Sequence, residues 1–334
     1  MDTTQLRRID LKNRTKLETV IPLQTPFIIN VDPSDACNFE CSFCPTGDRT
    51  LMKNIGRPLK VMKFDLFKKI IDDLQEFDSP IKVLRLYKDG EPLMNPFFAQ
   101  MIKYAKESGR VLKVDTTTNG SLLTPQKSLE IIESGLDRIN ISVEGVNAEQ
   151  YMSFSKYKID FDKFVENIKY FYEHRKQCEV VVKINGDTLS EEDKKFFMTT
   201  FKDIADGVYI EHIMSCWPEF ELRDGLEVNQ ELGIYGQEIK EVSVCPYVFY
   251  SFSLNSDGQA SLCFLDWSRK LLIGDVRAQS VKSIWLGEKM KEYQKMFLRG
   301  DRKNHPVCRD CGQMSHGMPD DIDAFANELL SKLG

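Results

Sequence analysis

Phe27-Ile28-Ile29-Asn30-Val31-Asp32-Pro33-Ser34-Asp35-Ala36-Cys37-Asn38-Phe39-Glu40-Cys41-Ser42-Phe43-Cys44 joins a short apolar run to a turn-forming stretch and then to three crowded cysteines. Its first five residues are bulky and mostly apolar, the composition of a buried strand. The cysteines therefore fall in the loop that leaves this strand, where α/β proteins commonly place their chemistry. Three thiolates so close together can wrap one face of an iron–sulfur cubane. Three rather than four leaves one metal corner open, as catalytic metal sites do. A structural zinc loop would want a fourth ligand nearby, yet no Cys or His lies between Cys44 and His174.

Working outward, short apolar runs alternate with longer amphipathic ones, the rhythm of repeated βα units on a parallel sheet. Strands are expected at 27–31, 81–87, 112–117, 138–143, 179–184 and 208–214, with helices at 64–77, 97–107, 125–134, 162–174 and 190–205. Phe64, Phe67, Ile70, Ile71 and Leu74 recur at helical spacing, and Pro125 suits a first helical turn. After residue 216 the rhythm breaks. An acidic, irregular stretch is followed by a hairpin expected at 247–254 and 259–265 around Asn255-Ser256-Asp257-Gly258, then a helix at 280–298. The expected division is an N-terminal extension (1–25), a barrel (26–216), a linker (217–243) and a small C-terminal domain (244–334).

The totals narrow the function. A formal charge of -6 argues against a nucleic-acid binder, which shows a basic face. Residues 1–16 have no apolar core of signal-peptide length, and no run approaches the roughly 20 apolar residues of a membrane span. A cytoplasmic setting follows as the expectation, and in that reducing compartment nine cysteines point to metal or catalysis rather than disulfides.

The C-x3-C-x2-C spacing of Cys37, Cys41 and Cys44 resembles the signature of radical S-adenosylmethionine (SAM) enzymes. The resemblance covers residues 26–216 and implies an α/β fold, a partial (β/α)6 TIM-like barrel. It also implies a 4Fe–4S cluster on the three cysteines whose open iron chelates the methionine part of SAM. Phe43 matches the aromatic position that packs near the adenine. Gly90-Glu91-Pro92 after the second strand resembles the family's Gly-Glu motif for the SAM ammonium. Asn119, in Thr118-Asn119-Gly120, and Ser142 and Glu144, at the end of the fourth strand, stand where the family places further SAM contacts. Lys183 and Asn185 depart from the family's apolar pattern at the fifth strand end.

Cys245, Cys263, Cys308 and Cys311 follow at spacings of 18, 45 and 3. This set resembles the SPASM and twitch domains appended to some radical SAM enzymes, and its spacing is similar to that of the 2-deoxy-scyllo-inosamine dehydrogenases. The resemblance implies a small α+β domain, a β-hairpin plus helix, holding one auxiliary 4Fe–4S cluster on four cysteines. A four-cysteine zinc site is the competing reading, since C-x2-C suits zinc too.

Of the two remaining cysteines, Cys178 reads as a small buried hydrophobe. Cys216, expected at the end of the sixth strand, is the candidate catalytic residue, a hydrogen-atom donor facing the barrel mouth as in radical SAM epimerases. His212 reads as a base or a core histidine, the latter favoured, while Tyr87, Lys88, Asp89 and Trp217 are candidates to line the cavity. The resemblance implies a dehydrogenase acting on a sugar or aminocyclitol, with flavodoxin or ferredoxin as electron donor, or an epimerase using Cys216. A peptide maturase and a non-enzymatic metal protein are the remaining alternatives.

Overall fold

The computed structural model describes residues 14–214, 216–229 and 231–333, so the first part of the expected N-terminal extension lies outside the described residues. Six strands, β1 (Ile28–Val31), β2 (Ile81–Arg85), β3 (Val111–Thr118), β4 (Arg138–Val143), β5 (Glu179–Asn185) and β6 (Gly207–Glu211), lie side by side in chain order, every neighbouring pair parallel. Between them run α1 (Arg49–Asn54), α2 (Phe64–Asp73), α3 (Phe98–Glu107), α4 (Pro125–Glu133), α5 (Ala148–Ser155), α6 (Phe161–His174) and α7 (Glu191–Phe201). This is the partial TIM-like barrel. No helix among the described residues is long and apolar enough to cross a membrane.

Strand and helix faces meet as their patterns require. Ile29, Leu84, Val114, Ile141 and Val182 are fully buried on the strands, as are Ile70, Phe98, Ile131 and Ile168 on the helices. Helix starts are fixed by side-chain caps. Thr124 accepts from the Lys127 N–H ahead of Pro125, Asp160 from Lys163, and Ser190 from Asp193. Register aligns the ends of β4 and β5, with Ser142 opposite Lys183, so their polar residues emerge together at the C-terminal mouth.

The C-terminal part does not stand apart from the barrel. β7 (Ser251–Leu254) pairs in parallel with β1, and β8 (Gln259–Ser261) and β9 (Leu272–Asp275) continue antiparallel from it, making one nine-stranded sheet. Residues 247–249, expected as strand, form a 3-10 turn, so only the second half of that apolar run joins the sheet. β8 ends at Ser261, which moves Cys263 off the strand and into the loop after it. The helix expected over 280–298 breaks into α8 (Val281–Trp285) and α9 (Glu288–Leu298). A Cβ on Gly287 would lie 2.9 Å from the Ser283 carbonyl oxygen, a close approach that glycine permits. The chain ends in α10 (Ala326–Lys332), which the sequence pattern did not reveal.

The segment expected as a linker, 217–243, folds back over the first cysteine loop. The Arg223 guanidinium donates to the Cys41 carbonyl at 2.7 Å, and Ser42 Oγ is hydrogen-bonded to Asp224.

Candidate functional site

Cys37, Cys41 and Cys44 leave β1 in an irregular loop held from every side. Glu40 N–H donates to the Ser155 carbonyl (2.8 Å) and Ser42 N–H to that of Phe154 (3.1 Å), so the end of α5 braces one flank. Arg49, from α1, donates to the Cys37 and Phe39 carbonyls. Cys37 Sγ accepts from the Phe39 N–H (3.4 Å) and lies 3.9 Å from Asn119 Nδ2, while Asn119 also donates to Asn38 Oδ1 at 2.9 Å. The sequence-predicted Asn119 thus touches the cysteine loop itself.

Gly90 and Glu91 clamp the same loop. Glu91 N–H donates to the Ala36 carbonyl at 2.8 Å, and a Cβ on Gly90 would fall 2.1 Å from the Ser34 carbonyl oxygen. The Glu91 carboxylate accepts from Thr118 Oγ1 (2.6 Å), Asn119 N–H (2.7 Å) and Leu93 N–H (2.9 Å), tying the ends of β2 and β3 together. Burial pushes its carboxyl up to about 7 against the pull of those three donors. Gly90→Ala is therefore expected to displace the cysteine loop, lowering both bound iron and SAM affinity by about tenfold or more, as metal analysis and equilibrium dialysis would show.

Burial raises all three thiols of this loop, Cys37 to about 12; Cys44 raises Cys37 further, and Cys37 and Cys44 both raise Cys41, so the three converge. The second set converges in the same way. Burial lifts Cys245 to about 12, with Cys311 and Cys308 adding, while Cys263 is raised by burial, Cys245 and Cys311. Burial, Cys263 and Cys311 raise Cys308. Thiols held this way release protons when metal binds. Three and four convergent thiols suit a cubane, whose sulfurs bind separate irons. Asp32, Asp35 and Asp89 form a further trio of potential ligands, their donor atoms within 4.8 Å of one another.

Beside the first loop, at the barrel mouth, opens a cavity of about 190 Å³. Phe43, Ser142, Glu144, Lys183, Asn185 and Cys216 stand on its wall with His212 and Trp217. The fourth- and fifth-strand residues meet Phe43 on this wall, Lys183 and Asn185 among them although they depart from the family's apolar pattern. Burial pushes the Glu144 carboxyl up to about 7, Lys183 pulling it down and Glu211 pushing it up. Lys183 Nζ lies 2.8 Å from Glu211 Oε2.

Three sequence readings change. β6 stops at Glu211, so Cys216 lies in the segment beyond the strand rather than at its end, although it still reaches the cavity. Burial pushes its thiol up to about 12, with Cys311 and Cys44 adding, which places it between the two cysteine sets. His212 is not a core residue. Its Nδ1 sits 2.5 Å from Asp187 Oδ1 on the cavity wall, and Nε2 carries no hydrogen bond among the described residues. Lys88 and Asp89 do not line the cavity either, because they are buried in an ion-pair network behind it. Asp187 escaped the sequence reading since nothing local marks an aspartate that meets a histidine 25 residues on. Cys178 is buried as expected.

Known proteins share this fold and its domain order. Residues 245–312 match the SPASM iron–sulfur cluster-binding domain. The AdoMet-dependent heme synthase of Methanosarcina barkeri is 23% identical over 296 residues, 78% of this chain and 82% of the synthase. Among solved structures, BtrN in complex with AdoMet and 2-DOIA superposes with a TM-score of 0.56 at 18% identity, covering 89% of this chain and 97% of BtrN. The anSMEcpe complex with AdoMet and the Cp18Cys peptide gives 0.59 at 14% identity, covering 92% of this chain and 96% of anSMEcpe. Residues 31–198, half of the chain and the part that carries the three-cysteine loop and its clamps, match the Radical SAM superfamily, and the chain belongs to that superfamily.

Proposed function

We propose that this chain is a radical SAM oxidoreductase that removes hydrogen from a carbinol carbon of a small polar molecule of the sugar or aminocyclitol class, leaving a ketone. Cys37, Cys41 and Cys44 would hold the SAM-binding cluster, and Cys245, Cys263, Cys308 and Cys311 an auxiliary cluster. When bound, these groups supply a carbon-centred radical that takes a hydrogen atom from the substrate and an acceptor for the remaining electron. The chain's own residues bind, orient and move a proton. Gly90, Glu91 and Asn119 shape the rim of the first loop, Phe43 offers a face for adenine, and Ser142 and Glu144 offer polar contacts to SAM. His212 takes the hydroxyl proton at Nε2, its tautomer held by Asp187 at Nδ1.

The observation that carries this reading is the shared cavity. Beyond the residues given to SAM, the cavity is bordered by the charged groups Lys183 and Glu211 and by Trp217, a lining suited to a compact polyol. The likeness to BtrN, solved with 2-DOIA, points the same way. A small flavoprotein or ferredoxin of the cytoplasm would supply the reducing electron.

Cys216 supports a second reading, epimerisation. A thiol pushed up to about 12 stays protonated at neutral pH, as a hydrogen-atom donor must, and it lies on the cavity wall. Turnover of a panel of aminocyclitols and sugars in heavy water separates the two. Dehydrogenation gives a product lighter by two hydrogens with no deuterium on carbon. Deuterium on carbon, lost in Cys216→Ala, would establish epimerisation instead.

SAM is a cation, so its affinity should follow the charge on Glu144. As the pH rises through about 7 the carboxyl ionises, and binding by the oxidised, cluster-loaded chain is expected to tighten about tenfold, one pKa unit's worth of coupling. Glu144→Gln should flatten that rise in equilibrium dialysis.

A further inference from the structure

Between the two cysteine sets lies a buried cluster of ions that no step above uses. Lys88 Nζ, its side chain 0% exposed, sits 2.5 Å from Asp89 Oδ2 and donates to the Asp266 carbonyl at 3.1 Å. Arg57, 1% exposed, lies 3.8 Å from the same Asp89 oxygen and donates to Thr46 Oγ1 (3.0 Å) and to the Trp267 carbonyl (3.4 Å). Arg269 meets both Asp35 oxygens at 2.9 Å and Asp257 at 3.0 Å. Asp32 accepts from the Asp89 N–H. Its carboxyl is raised by burial and by Asp35 and Asp89. The other carboxylates are each paired with a cation, Asp89 with Lys88 and Arg57, and Asp35 and Asp257 with Arg269.

The position of this network is its most informative feature. At one end, the Arg57 guanidinium holds Thr46 Oγ1, two residues past Cys44, at 3.0 Å. At the other, Lys88 holds the Asp266 carbonyl at 3.1 Å, and the Asp266 N–H donates to the Cys263 carbonyl at 3.2 Å. Lys88 and Arg57 belong to the barrel, while Asp266, Trp267 and Arg269 belong to the loop between β8 and β9. The network therefore touches both cysteine cages and pins the two loops together in a dry interior, where fixed charges act over longer distances than in water.

We propose that this buried ion-pair network is an electrostatic bridge between the two iron–sulfur centres, in which Lys88 and Asp89 shift both reduction potentials together and in opposite senses. The inference rests on the cluster assignment made above. A cation near a cluster favours its reduced, more negative state, and an anion disfavours it. Lys88 and Asp89 are thus positioning residues for electron transfer and need not touch SAM or substrate.

The test is a redox titration of the anaerobically reconstituted full chain without SAM, each cluster followed by electron paramagnetic resonance. Lys88→Met is expected to lower both midpoint potentials and Asp89→Asn to raise both, each by about a tenfold change in the reduction equilibrium, 59 mV for one electron. Lys88→Arg should restore the wild-type values. A purely structural clamp would move both variants the same way or neither, and that result, with iron content unchanged, overturns the proposal. So does a shift confined to one cluster. Should Lys88→Met and Asp89→Asn both lose iron, Arg269→Gln decides: both potentials fall if the bridge exists, and unchanged values refute it. Failure of the cluster assignment would look different. Cys308→Ala with Cys311→Ala would then leave both resonance signals in place.

Discussion

Replacing Cys37, Cys41 and Cys44 together with alanine is expected to remove about half of the iron the chain binds and to abolish reductive cleavage of SAM. Two cubanes hold about eight irons, and each should depend on its own sulfurs. The loop itself should survive. Its fold rests on backbone bonds to Ser155 and Phe154, on the Gly90–Glu91 clamp and on Arg49, none of which involves a cysteine side chain. The second cluster should therefore stay loaded, and the helical circular dichroism should match wild type. Iron analysis together with chromatographic assay of 5′-deoxyadenosine checks both halves of this expectation. Loss of all the iron would mean that the two sites are one folding unit.

Cys308→Ala combined with Cys311→Ala should give the complementary phenotype. These residues follow α9 in a loop packed by Arg302, whose guanidinium donates to the Cys308 carbonyl at 3.2 Å and to the Ser243 carbonyl at 3.0 Å. Removing the two sulfurs empties the auxiliary site while leaving the first loop and its cavity intact. SAM cleavage is expected to persist within a few-fold of wild type, while net oxidation of substrate falls by a hundredfold or more, because the last electron has no acceptor. The ratio of 5′-deoxyadenosine to ketone product reads this directly: near unity in the wild type and far above it in the variant. Equal loss of both would instead assign the second site a structural role.

How much of this was legible in the sequence follows from the range of the interactions. The six barrel strands were readable because β4 alternates Ile139, Ile141 and Val143 with polar residues, β5 carries the apolar run Val180–Val182, and the intervening helices carry local caps such as Thr124 and Asp160. The first cysteine loop was readable because its ligands are neighbours in the chain. Phe43, Ser142 and Glu144 meet at one cavity because strand register in a parallel barrel brings successive strand ends to one mouth. The failures are contacts made at a distance. That β7 would extend the barrel sheet beside β1, rather than open a separate hairpin, depends on a pairing more than 200 residues apart in sequence. The break at Gly287 needs the approach of the Ser283 carbonyl, which an amphipathic pattern running through residues 280–298 hides. The His212–Asp187 pair and the Lys88–Asp89–Arg57 network also exist only in three dimensions. Lys88 and Asp89 read as cavity-lining residues from the sequence, because nothing local shows that the second cysteine domain buries them.

At the centre of this account three adjacent sulfurs hold a cubane with one iron left free for SAM. The most direct measurement is the 5′-deoxyadenosine released when the anaerobically reconstituted, dithionite-reduced chain is given SAM alone. The account predicts its formation, together with a change in the resonance spectrum of the reduced cluster when SAM is added. A chain that carries full iron at both sites, yet neither alters its spectrum with SAM nor releases the nucleoside, would contradict it.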